Sequence, residues 1–143
     1  MTKTGAEERI GAYRVVRVIH SGVTSVVMEV VDDSTHRRLA VKQLAGDRCD
    51  DASERRKFAF EARLGLELRH PSLIRVHEYV ADREQPYFVM EYFPAPNLKL
   101  PLVRPNVYPM PTEHLHKIIR QAAAGLACMH DKGWVHRDVK PEN

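Results

Sequence analysis

Apolar and polar positions along this chain follow two rhythms, one of strands and one of helices. Tyr13–Ile19 and Val26–Val31 are rich in β-branched residues and predict two strands. The small-residue stretch His20–Ser25 between them predicts an antiparallel hairpin. A polar turn at Asp32–His36 leads into a third strand over Arg38–Leu44, completing a meander. Leu73–Val80 and Tyr87–Phe93 supply a fourth and a fifth. Between the third and fourth strands the pattern conflicts with the residue types. Phe58, Phe60, Ala62, Leu64, Leu66 and Leu68 recur every second position, a strand rhythm, whereas the Ala, Arg, Glu and Leu content favours helix. We take this stretch as a helix that starts near Asp51, where Asp51 and Glu54 have capping-box spacing, and is ended by His70-Pro71.

Six of the nine prolines (Pro94, Pro96, Pro101, Pro105, Pro109, Pro111) crowd residues 94–111, predicting a loop with at most a helical turn. A helix follows, capped by Thr112 and stopped by Gly133, with Leu115, Ile118, Ile119, Ala122, Leu126 and Met129 on one apolar face. The fold class is α+β. The chain divides into a polar, frayed tail at 1–9, a strand-rich part at 10–93, and a part at 94–143 that begins with the proline-rich linker.

Composition narrows the choice. With 143 residues and 43% hydrophobic side chains, the chain can bury a core. A net charge of +3, from 22 basic and 19 acidic side chains, is too even for a nucleic-acid or membrane surface. No apolar run approaches a membrane span, and the first dozen residues are not signal-like. Cys49 and Cys128 stand in no metal or redox spacing and read as reduced thiols, which fits a cytoplasmic protein. His114 and His116 are two apart, on different sides of a helix, and read as surface residues rather than zinc ligands.

The chemistry concentrates in the last ten residues, Trp134-Val135-His136-Arg137-Asp138-Val139-Lys140-Pro141-Glu142-Asn143. An acid, a cation and an amide stand there at fixed offsets, the groups phosphoryl transfer uses. The string resembles the catalytic loop H-R-D-x-K-x-x-N of the eukaryotic-type (Hanks-type) serine/threonine protein kinases. The resemblance implies a small lobe with a five-stranded antiparallel sheet and one main helix, followed by the first helices of a large lobe. It implies ATP-dependent transfer of the γ-phosphoryl group to Ser/Thr of a protein substrate. Asp138 would be the base, Lys140 a charge stabiliser, and Asn143 a ligand of Mg²⁺. Leu39-Ala40-Val41-Lys42 resembles the V-A-I-K strand, so Lys42 would reach the ATP phosphates and Glu61 would pair with it.

The resemblance also assigns the adenine site. Ile19, Val27 and Ala40 would line it, Met90 would guard its back, and Glu91 and Phe93 would meet the adenine edge. The Gly-rich loop departs from the family pattern, with His20, Gly22 and Ser25 where three glycines are usual. His136 would be a packing residue that supports the loop, not an acid or base. Gly65 stands where a large apolar residue is common, which predicts a gap or a mobile helix. Lysine two after Asp138 is the serine/threonine form, and Arg137 marks kinases controlled by activation-loop phosphorylation. No G-x-x-x-x-G-K-[ST] occurs, which disfavours a P-loop NTPase. The family pattern continues past Asn143 with D-F-G and A-P-E segments. The expectation is therefore a partial kinase domain with little activity of its own and an exposed Leu115–Met129 helix face open to association. An inactive kinase-like module with a binding or regulatory role is the second reading.

Overall fold

The computed structural model describes residues 8–81 and 84–142, and its backbone divides into two compact units. The first comprises Met1–Glu67 and Ile74–Tyr92, the second Leu68–Leu73 and Phe93–Asn143.

The first unit is a six-stranded antiparallel sheet with one long helix. Its strands are β1 (Arg9–Ile10), β2 (Tyr13–Ser21), β3 (Ser25–Asp32), β4 (Arg37–Leu44), β5 (Val76–Val80) and β6 (Tyr87–Glu91). They lie in the order β1-β2-β3-β4-β6-β5. The five predicted strands are all present. A sixth, β1, arises where a frayed tail was expected, because Ile10 is buried and pairs with Tyr13. β5 starts at Val76 rather than Leu73.

Alternation gives each face of the sheet its own core. Met28, Val30, Leu39, Val41, Tyr87 and Val89 pack with Ile10 on one face. Leu44, Val76 and Phe88 pack on the other, against Phe58 and Ala62 of helix α1 (Ala52–Glu67). Burying about 25 cal/mol per Å² of apolar surface on both faces is what orders the strands. β2 slips register against β3 twice, so Val16 and Ile19 have no partner opposite them. Such bulges sharpen the twist of a strand.

In α1 the helical reading holds: Phe58 and Ala62, four apart, are buried, while Phe60 is exposed. Asp51 Oδ1 accepts the amides of Ser53 (2.8 Å) and Glu54 (3.2 Å) and so caps the helix. Glu54 turns to Lys57 at 2.6 Å. The helix stops at Glu67, three residues short of the expected His70. The gap expected beside Gly65 is absent, because the Val76 side chain fills it. A Cβ on Gly65 would lie 2.3 Å from Val76 Cγ2.

The second unit holds a short helix, α2 (Lys99–Val103), within the proline-rich segment, and a long one, α3 (Thr112–His130). Thr112 is the first helical residue of α3 and does not cap it. Pro111 occupies the cap position and no side chain bonds there. Gly133, at φ 79°, takes the left-handed turn beyond the helix end, and the Trp134 amide bonds back to the Met129 carbonyl at 3.0 Å. Met129 is buried, Leu115, Ile118 and Leu126 are half-buried, and Ile119 and Ala122 are exposed, so the apolar face is more covered than expected. Among the described residues no helix is long and apolar enough to cross a membrane.

Candidate active site

In the first unit the central feature is a lysine held by a glutamate. Lys42 lies in the middle of β4, opposite Val27 of β3 and Phe88 of β6. Strand alternation points it to the face on which α1 packs. Phe58 and Ala62 dock α1 there, which leaves Glu61, beside them on the helix, facing the lysine. The Lys42 Nζ donates to both Glu61 oxygens, at 2.6 and 2.8 Å. Nζ also stands 5.8 Å from the Phe88 ring centre, at the limit of a cation–π contact.

Several nominated adenine contacts share this face. Ala40 is buried and pairs with Met90, which is half-buried against the α1 core. Val27 is half-buried across from Lys42. Ile19 sits at the second bulge of β2, partly exposed. Gly22 turns the hairpin and donates its amide to the Ser25 carbonyl at 2.9 Å. Glu91 is exposed at the end of β6, its amide bonded to the Arg75 carbonyl at 2.8 Å. Phe93 belongs to the second unit and is 65% exposed.

A charge cluster that sequence reading passed over lies on the same face. Glu29 of β3 is 1% exposed. Its Oε1 accepts Arg38 Nε at 2.7 Å and also Arg38 Nη2, and its Oε2 accepts Arg17 Nε at 2.8 Å. The two guanidiniums reach the Tyr92 hydroxyl at 3.1 and 3.4 Å, and Arg38 stacks 4.7 Å from the Tyr92 ring centre. Burial pushes the Glu29 carboxyl up, but the bonds from Arg38 and Arg17 outweigh it and hold the group below the usual carboxylate range. The available signal was an acid interrupting the apolar run Val26–Val31, with arginines on both neighbouring strands.

In the second unit the terminal loop arranges its own charges. Lys140 Nζ lies 3.0 Å from Asp138 Oδ2, with both side chains exposed. The Asp138 amide donates to His136 Nδ1 at 3.3 Å, so the exposed His136 ring supports the loop through a hydrogen bond rather than through buried packing. Arg137 adopts φ 63°, a left-handed conformation that a non-glycine residue holds at a cost of about 1 kcal/mol or more. The loop is tied to α2, whose Lys99 meets Glu142 at 3.1 Å, while the Leu98 amide donates to the Pro141 carbonyl at 2.9 Å. The Lys99 bond lowers the Glu142 pKa. Asn143 lies outside the described residues. Among the described residues no group of three or more His, Cys, Asp or Glu could hold a metal ion.

The protein kinase domain family model matches residues 13–143. The chain is 35% identical over 133 residues to the serine/threonine-protein kinase pkn2 of Myxococcus xanthus, covering 93% of this chain and 16% of that protein. It is 34% identical over 131 residues to the serine/threonine-protein kinase PknL of Mycobacterium tuberculosis, covering 92% of this chain and 32% of that protein. Among solved structures, the PknI kinase domain of Mycobacterium tuberculosis superposes with a TM-score of 0.75 at 25% identity. That match covers 97% of this chain and 56% of that one. The chain thus spans under a third of the curated relatives it matches and somewhat over half of the solved domain.

Proposed function

The chain belongs to the protein kinase domain family, and from that premise we propose that it serves ATP-dependent transfer of a γ-phosphoryl group to serine or threonine of a protein substrate. The single observation that carries this reading is the Lys42 ammonium gripped by both oxygens of Glu61, on the sheet face that also carries Val27, Ala40 and Met90. A lysine fixed this way presents a positive charge without having to order itself on binding, and phosphoryl transfer depends chiefly on positioning and charge.

Each nominated residue then has a task. Lys42 binds the α- and β-phosphates, and Glu61 holds it in place. Ile19, Val27, Ala40 and Met90 line the base, with Gly22 over the phosphates and Glu91 and Phe93 at the adenine edge. Asp138 accepts the proton of the attacking hydroxyl, and Lys140, 3.0 Å away, offsets charge on the transferring group. The carboxamide oxygen of Asn143 is a hard donor suited to Mg²⁺, which keeps waters and phosphate oxygens as its other ligands. Bound with ATP, the ion would neutralise phosphate charge.

Thermal unfolding with and without MgATP tests the binding half. Nucleotide at about 100 times its Kd should stabilise the chain by about 2.7 kcal/mol. No stabilisation at millimolar MgATP would sink the reading. Transfer of labelled phosphate to a generic basic protein tests the chemistry: transfer by this chain is expected to be weak, and any that is seen should fall by about 100-fold or more in Asp138→Asn. Stabilisation that is indifferent to Mg²⁺ and accompanied by no transfer would favour a binding or regulatory module.

A further inference from the structure

We propose that Glu29 is a positioning residue for the nucleotide base, acting through Arg17, Arg38 and Tyr92; the proposal rests on the kinase reading above. Among the described residues Glu29 is the one charged side chain that is buried, and it lies beneath the more exposed Arg17 and Arg38. A buried carboxylate is costly unless it is paired and bonded, which favours keeping its partners in place. Those partners come from three other segments: Arg17 from β2, Arg38 from β4, and Tyr92 just after β6.

The placement of these four residues gives the cluster its meaning. Glu29 is two residues after Val27 on β3, and Arg38 is two before Ala40 on β4, so each shares a face with its nominated neighbour. Arg17 precedes Ile19 by two, and Ile19 itself sits at the second bulge of β2. Tyr92 stands between Glu91 and Phe93. Every segment that contributes a nominated base contact is thus tied to the one carboxylate. Among the described residues the Lys42–Glu61 pair shares no bond with this cluster. Phosphate anchoring and base positioning therefore rest on separate groups.

Removing the Glu29 charge would leave two guanidiniums facing each other without a counter-charge. The arginines would part, the Tyr92 hydroxyl would lose its donors, and the walls of the base site would loosen. The phosphate anchor would be untouched. Binding of a full nucleotide should then suffer more than binding of a phosphate chain alone.

Calorimetric titration of the chain with MgATP and with magnesium tripolyphosphate reads this ratio. Glu29→Gln is expected to weaken MgATP about tenfold while changing tripolyphosphate less than twofold. Lys42→Ala should weaken both. Tyr92→Phe keeps the ring and removes only the hydroxyl, so it should fold even if Glu29→Gln does not. It is expected to weaken MgATP about threefold, with tripolyphosphate unchanged. If both ligands weaken equally in Glu29→Gln or Tyr92→Phe, or neither does, the assignment is overturned while the kinase reading stands. If the wild-type chain binds neither ligand, the kinase reading fails and takes this one with it.

Discussion

Lys42 is 22% exposed and Glu61 51%, so their ion pair sits in water as much as in protein. Pairs of that kind contribute about 0–1 kcal/mol to stability. On the proposed kinase reading their value is position. Glu61→Gln is therefore expected to change the unfolding free energy by less than about 1 kcal/mol, while lowering whatever phosphoryl transfer the proposed kinase reading gives this chain by about 100-fold through misplacement of the lysine. Urea denaturation and kcat/KM on the same variant separate the two effects. A variant several kcal/mol less stable but equally active would make the pair structural. Asp32, at the β3–β4 turn, behaves differently. Hydrogen bonds from Ser34 and Thr35 hold its pKa down to about 2, against about 3.9 for an unperturbed aspartate. The unfolded state therefore binds the proton more readily. The turn's contribution is complete above about pH 4 and is lost as the pH falls through about 2. An NMR titration of the Asp32 carboxyl should show the low midpoint, and Ser34→Ala should raise it. A midpoint at the ordinary aspartate value in the wild-type chain would remove this account of the turn.

Helix α1 is positioned by what it lacks. Alanine is a better helix former than glycine by about 1 kcal/mol, so propensity alone predicts that Gly65→Ala stabilises. Packing opposes it. The new methyl would meet Val76, a buried, short and stiff side chain, at 2.3 Å, and overpacking of that kind costs about 1–3 kcal/mol. Gly65→Ala is expected to be net destabilising and to push the Glu61 helix off β5. In a Val76→Ala background the same change should become neutral or stabilising. Chemical denaturation of the four proteins decides it, and an equal loss in both backgrounds would mean that Val76 is not the obstacle. This complementarity could not be read from the chain, because Gly65 and Val76 belong to different elements and nothing local links them. The strands were legible for the opposite reason: β-branched runs between turn residues carry their own signal. The two-residue rhythm of Phe58–Leu68 misled, since Phe60 faces solvent while Phe58 and Ala62, four apart, carry the packing.

The two units differ in how deeply their elements are buried. In the first, Val30, Val41 and Val89 are fully buried on adjacent strands, with a core on either face of the sheet. In the second, α3 runs for 19 residues with only Gly125 and Met129 buried among those described. A different contrast, between local and assembled signals, explains which candidate residues could be read in advance. Lys42 and Glu61 stood out because their order along the chain matched a known motif and a strand–helix pair brings them together. Asp138 and Lys140 stood out by local spacing alone. The Glu29 cluster did not, because its members come from four segments that only the folded sheet assembles. Opening free energy follows buried apolar contact, so amide exchange should divide along the same line. Amides of β3, β4 and β6 are expected to exchange slowest, through an opening close to global unfolding. Those of α3 should exchange through a smaller opening with a weaker denaturant dependence. Exchange measured by mass spectrometry across low urea concentrations resolves the two. If the amides of Val41 and Ala127 followed one isotherm, the chain would be a single cooperative body and its units would not unfold separately.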